Sequence, residues 1–293
     1  MRRLIEVNPD VCNRCMRCVL VCASGVWRNV DGVIRAEHPE LCNRCGHCVS
    51  VCPADAIVNK NLDEAQVRPV KPGQINPDAY REIVCSRRSI RHYKNKPVLP
   101  ELIKKLIDLA RYSPTASNSQ HVSYIVITDK DLLKKISSMV FNLAVRLHES
   151  SRLPAGKLLF AGLKLSPAIK SMIGKYIDSM DYYIKLEKSG RDLILHNAPV
   201  LILIHAPALS FFGSANCNIA AANITNYAHS LGLGTCHIGF VTLFSRFSKT
   251  FRQLVNLPKG RKIHAALVLG YPAFSYPNTA PRNDPEISWI SDD

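Results

Sequence analysis

The chain has 293 residues, 47% of them hydrophobic, and a formal net charge of +15. That length and apolar content support one or two cored globular domains. No apolar run approaches the ~18–20 residues needed to span a membrane; the longest, Ala198–Leu209, is interrupted by Pro199, His205 and Pro207 and reads as a buried strand. The basic residues are dispersed and aromatics make up only 7%, which argues against nucleic-acid binding.

Eight of the 11 cysteines fall within the first 52 residues. Cys12, Cys15, Cys18 and Cys22 form one run, and Cys42, Cys45, Cys48 and Cys52, followed by Pro53, form a second. Each reads C-x2-C-x2-C-x3-C, the bacterial ferredoxin spacing, in which three cysteines of a run hold one 4Fe–4S cube and the fourth ligates the other. One cluster is therefore expected on Cys12, Cys15, Cys18 and Cys52, and the other on Cys42, Cys45, Cys48 and Cys22. Zinc sites use separated ligand pairs rather than a triplet with a trailing fourth. A disulfide framework would need a secreted context, and Met1-Arg2-Arg3-Leu4 opens no signal peptide. The first run departs from the pattern at Ala23, where the second has Pro53. Iron–sulfur chemistry without an export signal points to a reducing cytoplasm, of an anaerobe.

Residues 1–60 repeat internally. Arg3–Val7 leads into the first run and Gly32–Ala36 into the second, each a strand-like segment followed by a cluster loop and a short helix. A 60-residue module has little core of its own, and cluster ligation is expected to hold it together. It carries eight Lys/Arg and six Asp/Glu, so +13 of the net charge lies beyond it and suits an anionic ligand such as a flavin phosphate, or an acidic redox partner. Residues 61–76, with Pro69, Pro72 and Gly73, read as a linker. The domains are thus 1–60, a linker at 61–76, and 77–293.

Asn76-Pro77-Asp78 opens a helix to about Ser86. A second helix runs from Pro100 to Tyr112, with apolar Leu102, Ile103, Leu106, Ile107 and Ala110 at helical spacing. Ser113–Asn118 is a loop, Val122–Thr128 a strand, and Asp129 caps a helix toward Leu147. Residues 149–190 read as two or three amphipathic helices, forming a basic face over a local core or a lid. Further on come a strand at Pro199–Ala206, a small-residue helix at Ala215–Leu231 ended by Gly232 and Gly234, a helix at Ser245–Val255, a strand at Lys262–Gly270 and a last strand at Ile287–Ile290. The mixture of strands and helices gives an α+β class, arranged as an α/β sandwich.

Arg87-Arg88-Ser89-Ile90-Arg91 places three guanidiniums and a hydroxyl in five residues. Guanidinium groups bind phosphate through forked, charge-assisted hydrogen bonds, although such a cluster on its own is more often a solvated surface. Cys85, Cys217 and Cys236 read as small buried residues, with Cys236 also a candidate for tuning a neighbouring cofactor. Asn216, Asn218, Asn223 and Asn226 on the small-residue helix are candidate polar contacts, and Tyr182 and Tyr183 candidate pocket residues.

The order Arg-Arg-Ser-x-Arg, Ser-Pro-Thr-Ala-Ser-Asn-Ser-Gln, Ala198-Pro199 with its strand, Ala-x-Ser-Leu-Gly-Leu-Gly-Thr-Cys-His-Ile-Gly and Leu-Gly-Tyr-Pro resembles the FMN-dependent nitroreductase family over residues 80–285. With the cysteine runs in front, the chain resembles a ferredoxin–nitroreductase fusion. The resemblance implies that Arg87, Arg88, Ser89 and Arg91 hold the FMN phosphate and ribityl chain and reach the ring edge. It implies that Pro114, Thr115, Ala116 and Asn118 pack on the flavin from the partner subunit. The amides of His237, Ile238 and Gly239 would face the flavin N5, and Arg282 would return to the phosphate. It also implies a homodimer with a dimer-swapped C-terminal arm in residues 271–293.

The implied activity is a flavin oxidoreductase, with two 4Fe–4S clusters feeding FMN and a pair of electrons leaving to a nitroaromatic, quinone or activated alkene. The donor would be reduced ferredoxin, flavodoxin or NAD(P)H. Gly232-x-Gly234 lacks the rest of a dinucleotide fingerprint. No catalytic dyad stands out, and His237 is the one candidate proton donor, a role that simple packing at that turn rivals. The alternative is an electron-transfer module of a larger complex that uses FMN as a relay.

Overall fold

A computed structural model gives the fold and describes residues 5–153, 174–175 and 178–291. The chain forms two compact units: Met1–Asn76 with Pro114–Gln120, and Pro77–Ser113 with His121–Asp293. The 114–120 loop, in sequence part of the second region, thus groups with the first. So do residues 61–76, which carry two short 3-10 turns at Glu64–Gln66 and Pro72–Gln74. The first turn is capped by Asp63, whose carboxylate accepts the Ala65 N–H at 3.1 Å.

In the first unit β1 (Ile5–Val7) and helix α1 (Arg17–Val21) precede a hairpin of β2 (Trp27–Val30) and β3 (Val33–Ala36). Helix α2 (His47–Val51) and β4 (Ile57–Asn59) follow. β1 pairs antiparallel with β4, and β2 with β3. The hairpin turns on Asp31-Gly32, both at positive φ (52° and 78°), the twist that a two-residue connection between right-twisted strands requires. β2 and β4 have no counterpart in the sequence expectations. They are three or four residues long, too short for alternation to show. The apolar core is small: Ile5, Val26, Trp27, Ile34 and Ile57, with Cys18 buried against them.

The second unit is a four-stranded sheet between two helical layers. In chain order its elements are α3 (Pro77–Ser86), α4 (Pro100–Ala110), β5 (Ser123–Ile127), α5 (Lys130–Arg152), α6 (Met180–Lys188), β6 (Val200–Pro207), α7 (Gly213–Ser230), β7 (Gly234–His237), α8 (Gly239–Phe247), α9 (Lys249–Leu254) and β8 (Arg261–Gly270). The strand order is β5-β6-β8-β7, and every pairing is antiparallel. β6 shows why the sheet is central. Leu201 and Leu203 face one helical layer, with Ile136 and Val140 of α5 and Val241 of α8. Ile202 and Ile204 face the other, with Leu106 of α4 and Ala220, Ala221 and Ile224 of α7. All four β6 side chains are fully buried, each stabilising the fold by roughly 1.5–3 kcal/mol. Small residues on α7 let its backbone approach the sheet closely. The helix ends at Gly232 (φ 73°), with the Leu233 N–H returning to the Ala228 carbonyl at 2.8 Å.

Several boundaries differ from expectation. The Ser245–Val255 helix is two helices, α8 beginning earlier at Gly239, because Ser248 is extended and its hydroxyl caps the Phe251 N–H at 3.1 Å. Gly234 does not merely follow a helix; it starts β7. α4 ends at Ala110 rather than Tyr112. Residues 287–290 form no strand and are exposed, since a strand needs a neighbour to satisfy its backbone. Within 149–190, the end of α5 and α6 are seen, and residues 154–173 and 176–177 lie outside the described set. Among the described residues no helix is long and apolar enough to cross a membrane.

Candidate functional site

The two cysteine runs fold alike. At an offset of 30 residues, Arg14 and Arg44 take positive φ (56° and 59°), as do Met16 and Gly46 (64° and 75°). Asn13 accepts the Cys15 N–H at 3.3 Å, and Asn43 accepts the Cys45 N–H at 3.2 Å. These Asn side chains and left-handed residues bend each loop so that thiols three apart turn to one side. The fourth cysteine of each run crosses over. Cys12, Cys15, Cys18 and Cys52 line one cavity; Cys22, Cys42, Cys45 and Cys48 line another. Among the described residues no three His, Cys, Asp or Glu side chains are arranged to hold a single metal ion. Two sets of four thiols suit a thiolate-ligated cluster better than zinc. Burial pushes the Cys18 and Cys48 thiols up, a cost that a bound cation's charge reverses.

The halves also differ. The first cavity leaves about 10 Å³ for water and is lined beyond its cysteines by Asn13, Met16, Arg17, Ile34, Ala56 and Ile57. The second opens to about 330 Å³ and includes Trp27, Asn59 and residues of the 114–118 loop. Asn59 is buried and its amide donates toward Cys42 Sγ at 3.9 Å, while its counterpart Asn29 is exposed. Trp27 lines the second cavity, where the first has Ile57. Sequence reading passed over both Asn59 and Trp27. The 30-residue offset pairs Asn29 with Asn59, which was a signal, but it does not say which of the two is turned inward.

In the second unit the arginine segment is stitched to β7. The Ile90 N–H donates to the Thr235 carbonyl at 2.9 Å, and Ser89 bridges Thr235 in parallel. The Tyr93 hydroxyl donates to the Ile90 carbonyl at 2.7 Å. Gly234 makes this approach possible: a Cβ there would stand 2.5 Å from Ile90 Cγ1. Arg88 Nη1 donates to the Cys85 and Arg87 carbonyls, at 2.9 and 2.7 Å, and leaves Nη2 buried without a partner. A buried guanidinium N–H of this kind is costly unless an acceptor meets it, and a phosphate oxygen would serve. Arg91 lines a cavity of about 170 Å³ with His92, Arg191 and His196.

His237, Ile238 and Gly239 line a separate cavity of about 230 Å³ with Asn218, Arg246 and His264. Those last three were not singled out as a group, because they come from three distant elements. Of the three amides expected to face a flavin, that of Ile238 is spent on the Ala266 carbonyl at 2.8 Å. Gly239 opens α8, where first-turn N–H groups have no partner within the helix. His237 sits at the cavity mouth; surrounding protein, and then Arg87, hold its imidazole below the ordinary value. It is therefore mostly neutral at neutral pH and a poor source of a full proton.

Pro114, Thr115 and Asn118 line the second cysteine cavity; Ala116 starts the short 3-10 turn between them. Arg282 is exposed and donates to the Pro281 carbonyl. Cys217 and Cys236 are buried, but Cys85 is exposed, at the end of α3 where no layer covers it. Asn223 donates to Ser113 at 2.8 Å, and Asn218 to the Ser214 carbonyl at 2.8 Å. Tyr183 packs on the core and Tyr182 is exposed.

A model of the nitroreductase family matches residues 84–271, and a model of the 4Fe-4S dicluster domain matches residues 11–57. The chain is 27% identical over 210 residues to a 4-nitrobenzoate reductase of Pseudomonas putida, covering 66% of this chain and 86% of that protein. It is 27% identical over 190 residues to an FMN reductase (NAD(P)H) of Bacillus subtilis, covering 65% of this chain and 64% of that one. A nitroreductase with bound FMN from Bacteroides fragilis shares the fold, with a TM-score of 0.53 and 14% identity over 74% of this chain and all of that one. The antiparallel sheet, the arginine segment on β7 and these matches agree: the chain belongs to the nitroreductase family of FMN-dependent oxidoreductases, with a 4Fe–4S dicluster domain ahead of it.

Proposed function

We propose that this chain carries two 4Fe–4S clusters and one FMN, and passes electrons from the clusters through the flavin to a small organic acceptor as a pair. The observation that carries the reading is the four-and-four division of the thiols, each cavity drawing its fourth cysteine from the other run. On this reading Cys12, Cys15, Cys18 and Cys52 hold one cluster, and Cys42, Cys45, Cys48 and Cys22 hold the other. Residues 1–60 form the ferredoxin domain, 61–76 its tether, and 77–293 the flavin domain.

Arg88 meets the FMN phosphate with its unpartnered Nη2, and Arg87 and Ser89 complete the cradle, held in place by β7. Arg91 lies toward the ring edge, where a cation favours the anionic reduced flavin. Gly239 offers an amide at the start of α8, and neutral His237 orients an acceptor rather than protonating it. Arg282 closes on the phosphate from the C-terminal segment. FMN, when bound, takes up single electrons and gives them up in pairs.

The acceptor is a nitroaromatic, a quinone or an activated alkene, and the donor a low-potential one-electron carrier such as reduced ferredoxin or flavodoxin, with NAD(P)H the direct-hydride alternative. The enzyme works as a homodimer, with residues 271–293 reaching over the partner and residues 114–118 packing on the partner's flavin. The test is anaerobic purification with iron and flavin counts, followed by stopped-flow reduction with ferredoxin and with NADPH. About eight irons and one FMN per chain, with faster flavin bleaching by ferredoxin, support the proposal. Fewer irons in well-reconstituted protein overturn the two-cluster assignment. A reduced flavin that no small acceptor reoxidises points to a relay module instead.

A further inference from the structure

The two cysteine cavities are not equivalent exits. The second is shared with the 114–120 loop: Pro114, Thr115, Ser117 and Asn118 line it together with Cys22, Cys42, Cys45 and Cys48. The first is lined only by residues lying between Cys12 and Ile57. The loop is fixed in place there. The Asn118 amide donates to the carbonyl of Asn43 at 3.1 Å, and Asn43 follows Cys42 directly, its own side chain accepting the Cys45 N–H. Within the loop, the Asn118 N–H returns to the Thr115 carbonyl at 2.9 Å and the Gln120 N–H to the Thr115 hydroxyl at 3.1 Å. The same cavity carries Trp27 and Asn59, whose side-chain amide donates toward Cys42 Sγ at 3.9 Å. An N–H directed at a ligating sulfur stabilises the more negative, reduced cluster and raises its potential. Arg17 puts a cation on the rim of the first cavity, but it is exposed and screened by solvent.

We propose that the cluster of Cys42, Cys45, Cys48 and Cys22 is the exit cluster, and that electrons leave it across residues 114–118 of its own chain to the flavin held by the other chain of the dimer. The inference rests on the FMN and homodimer reading above, in which residues 114–118 pack on the partner's flavin. The two electrons cross one at a time. Each crossing oxidises the exit cluster by one electron, and a one-electron carrier protein, reduced ferredoxin, restores it by way of the first cluster. Two crossings reduce one FMN fully, with protons drawn from solvent. The acceptor then reoxidises it.

Two measurements test this. In the first, the reduced protein is studied by electron paramagnetic resonance, with the two cluster signals assigned from the conservative variants Cys15→Ser and Cys45→Ser. Asn118→Asp places a carboxylate against Asn43. It should move the signal assigned through Cys45, lower that cluster's potential and leave the other signal in place. A change confined to the signal assigned through Cys15, or no change in either, overturns the exit assignment.

In the second, dimers are assembled from differently tagged chains, with Cys45→Ser as the cluster lesion and Arg88→Gln with Ser89→Ala as the flavin lesion, and flavin bleaching by reduced ferredoxin is followed in a single turnover. With the lesions on separate chains, the one bound flavin keeps a working exit cluster and bleaches at the normal rate. With both lesions on one chain beside an unmodified chain, bleaching slows at least tenfold. The reverse pattern overturns transfer between chains. Iron and FMN counts on every dimer separate the two levels: protein without FMN overturns the flavoenzyme reading itself, whereas flavin-loaded dimers with the reversed pattern overturn only the route.

Discussion

The two units are held together by different means. The second buries apolar side chains on both faces of a sheet, and β6 alone contributes four fully buried residues. Among its described residues the first buries six aliphatic or aromatic residues, Ile5, Val26, Trp27, Ile34, Ala56 and Ile57, and has strands of three or four residues. A core that small does not offset the ordering entropy of some 60 residues, at roughly 1–2 kcal/mol each for the backbone. The difference teaches that one unit is a scaffold onto which a cofactor is laid, while the other is a chain that its cofactors fold.

The largest test of that contrast is iron removal. Anaerobic chelation should unfold the first unit and leave the second folded, read as amide exchange rising by a hundredfold or more at residues 5–59 and unchanged in β6. Equal protection of both units after chelation would break the comparison. Next in size is Gly234→Ala. The added methyl meets Ile90 at 2.5–3.0 Å, so overpacking should cost the second unit about 1–3 kcal/mol and loosen its flavin. Thermal unfolding and flavin retention measure both, while the iron count should hold.

The first unit's asymmetry is sharpened by Asn59→Leu. Losing one N–H directed at sulfur, at about 0.5–1.5 kcal/mol, should lower one cluster's potential by on the order of 20–60 mV and leave the other alone. A redox titration followed by paramagnetic resonance decides it.

The smallest effect is a pH dependence confined to the second unit. His205 is buried at the β-bulge between β6 and β8, and Arg261 donates to its Nδ1 at 2.7 Å. Burial, and then that guanidinium, push the His205 pKa down from 6.5 to about 4. The unfolded chain therefore binds a proton first. The stability this group contributes is complete above pH 6.5 and is lost as pH falls toward 4. Melting of the second unit should fall over that window, and His205→Gln should flatten the slope.

The sequence was most readable where chemistry dictates spacing. The cysteine runs could be located without coordinates, because thiolate clusters demand those residue types in tight order, whereas the arginine segment stood out only through the family resemblance. Long periodic helices such as α4 and α5 were visible for the same kind of reason. What stayed hidden depends on tertiary partners. β7 looked like the tail of a helix because only the neighbouring β8 and Ile90 make Gly234–His237 a strand. The cavity around His237, His264, Arg246 and Asn218 gathers residues from several elements, and no local pattern announces it. The grouping of residues 114–120 with the cysteine unit includes a bond from Asn118 to Asn43 that no periodicity encodes.

The exposed C-terminal segment has a further consequence. Pro277, Pro281 and Pro285 recur every four residues through a stretch without helix or strand. Each fixes φ and restricts the residue before it, so the free segment already samples few conformations. In an extended polyproline-like form its 18 residues from Phe274 to Ser291 reach about 55 Å, against a radius of gyration near 17 Å for a domain of this size. On the proposed homodimer reading, closing such a pre-stiffened arm over a second copy surrenders less chain entropy than closing a glycine-rich one, and replacing those prolines should weaken association.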